Sequence, residues 1–126
     1  MLADTKAFSG FAVDDIDAAK HFYEETLGLR VSVLDEKNGL ISLNLAGDRD
    51  TLVYAKPDFV PANYTILNFQ VEDVDAAVEE LSSRGVSFER YDGFGQDEKG
   101  IARDAGPAIA WFKDPAGNIL SVLEEA

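Results

Sequence analysis

The chain has 126 residues, 46% of them hydrophobic, which is one domain's worth with enough apolar content for a core. Its 24 acidic residues against 11 basic ones give a formal net charge of −13, which repels phosphate backbones and anionic lipid, so neither nucleic acid nor a membrane surface is an expected partner. Cysteine is absent and the one histidine is His21, which excludes disulfides, thiol nucleophiles, cysteine-bound metals and any site needing several imidazoles from one chain.

No apolar run approaches the ~20 residues of a membrane span. Met1-Leu-Ala-Asp-Thr-Lys-Ala-Phe8 lacks the apolar stretch of a secretory leader. A soluble cytoplasmic protein is therefore expected.

In chain order, residues 7–13 read as a first strand, with Asp14 or Asp15 as a helix N-cap. Ile16, Ala19, Phe22, Tyr23 and Leu27 recur at helical spacing, and Gly28 supplies the stop. Leu29–Asp35 returns as a strand, and Asn38-Gly39 predicts a two-residue hairpin. Over Leu40–Leu45 the alternation puts Ile41, Leu43 and Leu45 on one face and Ser42 and Asn44 on the other. After a turn at 47–50, Thr51–Lys56 is the next strand. Residues 57–63, with two prolines, read as a connector.

The second half follows the same plan. Tyr64–Val71 is a strand, Asp73 caps a helix carrying Val74, Ala77, Val78 and Leu81, and Gly85 ends it. Val86–Tyr91 is expected as a strand, and 92–107 as a long polar loop suited to a pocket wall or to plain flexibility. Its charges at 96–100 and 103–104 suit solvation or a rim contact to a polar ligand. Ala108–Lys113 and Ile119–Leu123, joined by the Asp114-Pro-Ala-Gly-Asn118 turn, complete the plan.

The two halves share a written repeat. Phe11-Ala-Val-Asp-Asp-Ile-Asp-Ala-Ala19 returns 58 positions later as Phe69-Gln-Val-Glu-Asp-Val-Asp-Ala-Ala77, six of nine positions being identical. The fold expected is α+β, with two tandem βαβββ modules in one domain, forming curved mixed sheets around a cavity. The first module spans about 1–56, the connector 57–63 and the second module about 64–126.

Val13-Asp-Asp-Ile-Asp-Ala-Ala-Lys-His-Phe-Tyr23 followed by Leu27-Gly28-Leu29, with Phe112-Lys-Asp-Pro-Ala-Gly-Asn-Ile119 near the end, resembles the vicinal oxygen chelate superfamily of glyoxalase I, bleomycin resistance proteins and extradiol dioxygenases. In metal-dependent members the resemblance implies four ligands, usually His, Glu or Gln, on the cavity side of four strands. Carried over, these positions hold Phe8, Val53 or Tyr54, Ile66 and Ser121, none of them a usual ligand for a divalent ion. No metal and no other cofactor is expected. His21 does not substitute, because it lies about 140° round its helix from Ile16, away from the apolar stripe.

Alternation places Tyr64, Ile66, Asn68 and Gln70 on the former ligand face, with Leu67, Phe69 and Val71 towards the helix. The pocket candidates are Phe8, Ser42, Asn44, Tyr54, Tyr64, Ile66, Asn68, Trp111 and Ser121, a mixture of aromatics, amides and hydroxyls of the kind that lines organic-ligand sites. Three functions follow. The first is a metal-free protein binding a small organic molecule, as bleomycin resistance proteins do. The second is a lyase- or dioxygenase-type enzyme, metal-dependent or not, for which no catalytic residue is assigned. The third is an assembly subunit whose cavity is filled by its own side chains. A homodimer is the expected assembly, since open sheet edges invite pairing.

Overall fold

The computed structural model describes residues 1–104 and 106–125, and they form two compact units, Met1–Val60 and Pro61–Ala126. The architecture is α+β, with one mixed sheet and one helical element in each unit.

The first unit runs β1 (Gly10–Val13), α1 (Ile16–His21), a π-helical turn (Phe22–Thr26), β2 (Val31–Asp35), β3 (Leu40–Leu43) and β4 (Thr51–Ala55). Its sheet order is β1-β4-β3-β2, with β1 parallel to β4 and the other pairs antiparallel. Asp15 caps α1, its carboxylate accepting from the amides of Asp17 at 3.0 Å and Ala18 at 3.1 Å, which contributes about 1 kcal/mol. The helix then widens so that the Leu27 amide donates to Phe22 O at 2.9 Å, and Gly28 at φ 72° lets the Leu29 amide reach back to Tyr23 O. Tyr23 is fully buried with Val13, Ala19, Ile41, Leu43 and Val53. The Val, Ile and Leu side chains among them contribute about 1.5–3 kcal/mol each by burial.

Three local expectations are corrected in this unit. The ladder of β1 begins at Gly10, leaving Phe8 outside it and 75% exposed. The hairpin is not a two-residue turn: Asp35 pairs with Leu40 after a bulge, and Glu36–Gly39 make a four-residue loop. The Asp35 carboxylate draws the turn shut by accepting from the backbone amide and side-chain amide of Asn38, so Asn38 closes the loop rather than sitting at a hairpin tip. Finally, β3 ends at Leu43, because the Leu45 amide turns back to Leu43 O at 3.1 Å instead of continuing along β4, while the Asn44 amide still donates to Arg30 O on the β2 side.

The second unit runs β5 (Thr65–Val71), α2 (Val74–Ser83), β6 (Ile109–Lys113) and β7 (Ile119–Glu124) in the order β5-β7-β6. β5 and β7 are parallel, and β6 and β7 antiparallel. The α2 N-terminus is doubly satisfied: Asp73 accepts from the Ala76 amide at 3.1 Å, and Glu124 reaches across to accept from the Val74 amide at 3.0 Å. The caps Asp15 and Asp73 stand at equivalent places in the repeat. Val74, Val78, Ile101, Ala110, Phe112, Leu120 and Val122 form the core of this unit. The Asp114 carboxylate organises the β6–β7 turn by accepting from the amides of Ala116 and Asn118 and from the Asn118 side chain, all within 3.0 Å.

The strand expected over Val86–Tyr91 is reduced to one bridge, Phe88 with Phe112, and one hydrogen bond from the Glu89 amide to Trp111 O. Beyond it the chain is drawn into the following loop. The Tyr91 amide donates to Gln96 Oε1 at 2.7 Å, and the Arg90 guanidinium donates to the carbonyls of Asp97 and Glu98. Gln96 thus takes the Tyr91 amide and the Glu89 carbonyl that a longer strand would have paired, and Arg90 ties the segment to the loop.

Candidate functional site

Cross-strand register settles which side chains share a face. In the first unit Phe11 meets Tyr23 with ring centroids 5.8 Å apart, so the rows through Phe11, Val53 and Ile41 belong to the helix side. Val53 is therefore core. Tyr54, paired with Ala12 and Leu40, belongs to the helix-free face. Ser42 and Ser32 are also partners there, and with Asn44 they form a hydrogen-bonded row. Ser42 Oγ donates to Asn44 Oδ1 at 3.0 Å, and Asn44 Nδ2 donates to Ser32 Oγ at 2.8 Å.

In the second unit the rows through Leu67, Leu120 and Phe112 and through Phe69, Val122 and Ala110 face α2. The helix-free face carries the row Asn68, Ser121 and Trp111. Ser121 is fully buried, and its hydroxyl donates to Asn68 Oδ1 at 2.6 Å. Ile66 sits in a bulge, where Thr65 pairs with Ile119 but Leu67 already pairs with Leu120, so the clean alternation expected along this strand breaks there. Tyr64 precedes β5 and is 67% exposed.

Two further residues join this row. Tyr91 and Phe94 pack against Trp111 with ring centroids 5.6 and 5.1 Å away, and against each other at 6.2 Å. The tilted, edge-on arrangement is the favoured one for aromatic groups. Phe94 is 47% exposed and stands between Gly93 and Gly95, at φ 89° and 61°. The Tyr91 hydroxyl is shielded from solvent and has no hydrogen-bond partner among the described residues. Burial pushes its pKa up, Glu89 adds to this and Lys113 opposes it, so the phenol stays protonated at neutral pH. Neither residue was among the sequence candidates. The available signal was an aromatic residue between two glycines in an otherwise polar loop.

The loop that carries Phe94 is ordered by its own bonds. Gln96 Nε2 donates to the carbonyls of Glu89 and Gly100, both at 2.8 Å, and the Asp97 carboxylate accepts from the amides of Lys99 and Ile101. Its cations turn to α2: Lys99 pairs with Glu79 at 2.8 Å and Arg103 with Asp75 at 2.9 Å. These loop charges thus serve as ties to the helix. A shallow pocket of about 470 Å³ beside α2 is lined by Val78, Ser82, Phe88, Arg90 and Lys99 among others. Its cations already have partners, so it offers little to an anion.

The chemistry of the donor set does not fit a divalent ion. Phe8 and Ile66 present hydrocarbon, Tyr54 a phenol, and the Ser121 hydroxyl is already committed to Asn68. Among the described residues no three His, Asp or Glu side chains are grouped so as to hold a metal ion. His21 is exposed on α1. No helix among the described residues is long and apolar enough to cross a membrane.

Solved structures match along almost the whole chain. An antibiotic binding protein from a Streptomyces species, TnmS3, is 24% identical with a TM-score of 0.72, 98% of each chain being covered. The fosfomycin resistance protein FosX from Listeria monocytogenes is 12% identical with a TM-score of 0.72, covering 98% of this chain and 94% of its own. A glyoxalase family protein from Enterococcus faecalis is 22% identical with a TM-score of 0.67, covering 98% of this chain and 100% of its own. At these identities the likeness is one of fold. No curated protein matches. The family model of the Glyoxalase/Bleomycin resistance protein/Dioxygenase superfamily matches residues 7–122, and the chain belongs to that superfamily.

Proposed function

We propose that this protein binds a small organic molecule without a metal, on the helix-free face of the β5-β7-β6 sheet. The observation that carries this reading is the aromatic group of Trp111, Tyr91 and Phe94 beside the Ser121–Asn68 pair. Ser121 stands where the family resemblance places the last metal ligand, so an apolar and amide-bearing surface replaces a Lewis-acid centre. Ring faces supply area for burial and a few fixed polar groups supply orientation. Two relatives in fold are named for antibiotic binding and for fosfomycin resistance, which supports a ligand-holding role for this chain. Homodimeric assembly belongs to the same proposal. It is supported by the edge position of β2, where Val33 and Leu34 are exposed.

Native mass spectrometry tests the metal and the assembly together. The protein is measured as purified and after incubation with nickel, zinc, manganese and iron(II). The expected result is a dimer that takes up no stoichiometric metal. One tightly held ion per chain would refute the metal-free reading and restore a glyoxalase- or dioxygenase-type enzyme. A thermal-shift screen of organic ligands completes the test. A ligand at 100 times its Kd adds about 2.7 kcal/mol to stability, and a complete lack of response would favour a subunit with a filled site.

A further inference from the structure

The binding face described above carries a buried polar group, the Tyr91 hydroxyl, that no described residue uses. The Tyr91 hydroxyl is shielded from solvent, has no partner among the described residues, and belongs to a ring packed edge-on against Trp111. A shielded hydroxyl without a partner is an unmet hydrogen bond, and a ligand group is one way to meet it. The neighbouring row is also matched internally on one side only. Ser121 donates to Asn68 Oδ1, which leaves the Asn68 side-chain amide, on an exposed residue, with N–H groups to offer. The Tyr91 hydroxyl can donate or accept and the Asn68 N–H groups can only donate, so an acceptor on a ligand is the one kind of group that meets both, set beside ring faces.

Phe94 is the ring that a ligand would displace. It is the most exposed ring of the three and stands between two glycines in the left-handed region. That backbone is open to rotations that other residues resist, so Phe94 can leave Trp111 and Tyr91 without disturbing the sheet.

We propose, resting on the binding role argued above, that the ligand is a planar conjugated molecule bearing a carbonyl-type acceptor. It takes the place of the Phe94 ring against Trp111 and accepts a hydrogen bond from Tyr91. Tyr91 is then the residue that selects acceptor-bearing ring systems over plain hydrocarbons of the same size. An uncharged carbonyl also suits a protein of net charge −13 better than an anionic ligand does.

The test uses coumarin, which has the acceptor, and naphthalene, which lacks it. Trp111 is the sole tryptophan, so its indole N–H gives a single nuclear magnetic resonance cross-peak that reports binding. Coumarin is expected to move that peak and to bind the native chain more tightly than naphthalene. In Tyr91→Phe, coumarin affinity should fall about tenfold while naphthalene affinity changes less than about twofold. The melting temperature of the unliganded variant should stay level or rise, since Tyr91→Phe removes a group with no partner among the described residues.

A parallel loss for both probes, or for neither, would overturn the hydroxyl's role and leave the binding face standing. A lower melting temperature in Tyr91→Phe would show that the hydroxyl is already used within the protein, which overturns the proposal from the other side. If neither probe moves the indole peak but another ligand from the thermal-shift screen does, the planar carbonyl class is wrong and the site is right. If nothing moves it, both readings fall.

Discussion

Asn68 is exposed and Ser121 fully buried, yet truncating Asn68 is expected to cost more. The two form a 2.6 Å hydrogen bond across the β5–β7 pair, with the serine donating. Ser121→Ala removes the donor and leaves an amide oxygen that water can reach, so its cost lies at the low end for a hydrogen bond, about 0.5–1 kcal/mol. Asn68→Ala strands the hydroxyl of a residue with no solvent access, and the desolvation penalty raises the cost to about 1–3 kcal/mol. In the Ser121→Ala background the same Asn68→Ala change should be close to neutral, giving a coupling energy equal to the native-background cost of Asn68→Ala, about 1–3 kcal/mol. Urea unfolding of the four proteins of this cycle, by fluorescence and circular dichroism together, measures these differences provided the m-value is constant. For a chain of this size each kcal/mol corresponds to roughly 3–6 °C in Tm. Equal costs for the two single variants, or strict additivity in the double variant, would refute the reasoning.

Other outcomes follow from local geometry. Gly39→Ala should destabilise by about 1–3 kcal/mol, because the residue has φ 68° and its new Cβ would lie 2.9 Å from Ala55 Cβ; a level denaturation midpoint would count against this. Phe112→Ala should cost about 3–5 kcal/mol in urea unfolding, since the ring is fully buried and packs edge-on against Phe88. The Arg103 guanidinium beside Asp75 holds that carboxyl below the usual range, against an opposing effect of burial and with Lys99 assisting. For Asp97 burial acts upwards, but the amides of Ile101 and Lys99 and the Arg103 charge together bring it below the usual range. Both contributions to stability are present above the unfolded pKa of about 3.9 and are lost as pH falls through the depressed folded values. Carboxyl titration by nuclear magnetic resonance should find both midpoints low, and Arg103→Gln should raise that of Asp75. An unchanged midpoint in that variant would dismiss the tie between loop and helix.

Much of the architecture was legible as local chemistry. The repeat that places Asp15 and Asp73 at equivalent starts of helix shows in sequence because an N-cap needs a short acceptor side chain next to an apolar periodic run. The α+β class follows from that repeat and from the strands around it, and the family resemblance is carried by Val13–Tyr23, Leu27–Leu29 and Phe112–Ile119. The lack of usual ligand types at Phe8, Ile66 and Ser121 was legible too, because coordination depends on side-chain chemistry before geometry. The choice between Val53 and Tyr54 was not. A shift of one residue in register exchanges the two faces of a strand, and only pairing with β1 and β3 sets it.

Only tertiary structure decided the rest, because it depended on competition between partners far apart in the chain. Val86–Tyr91 has the composition of a strand, but Gln96 takes the Tyr91 amide and the Glu89 carbonyl that a longer ladder would need. In sequence the loop charges suit solvation or a rim contact to a ligand, and their pairing with the helix shows only when Asp75 and Glu79 on α2 lie within reach. The aromatic group joins Tyr91, Phe94 and Trp111 from a loop and a strand. By itself the sequence determined the residue types available to a site, since those are properties of single side chains. Which of them meet was decided by register and loop closure, since a contact is a property of the folded chain.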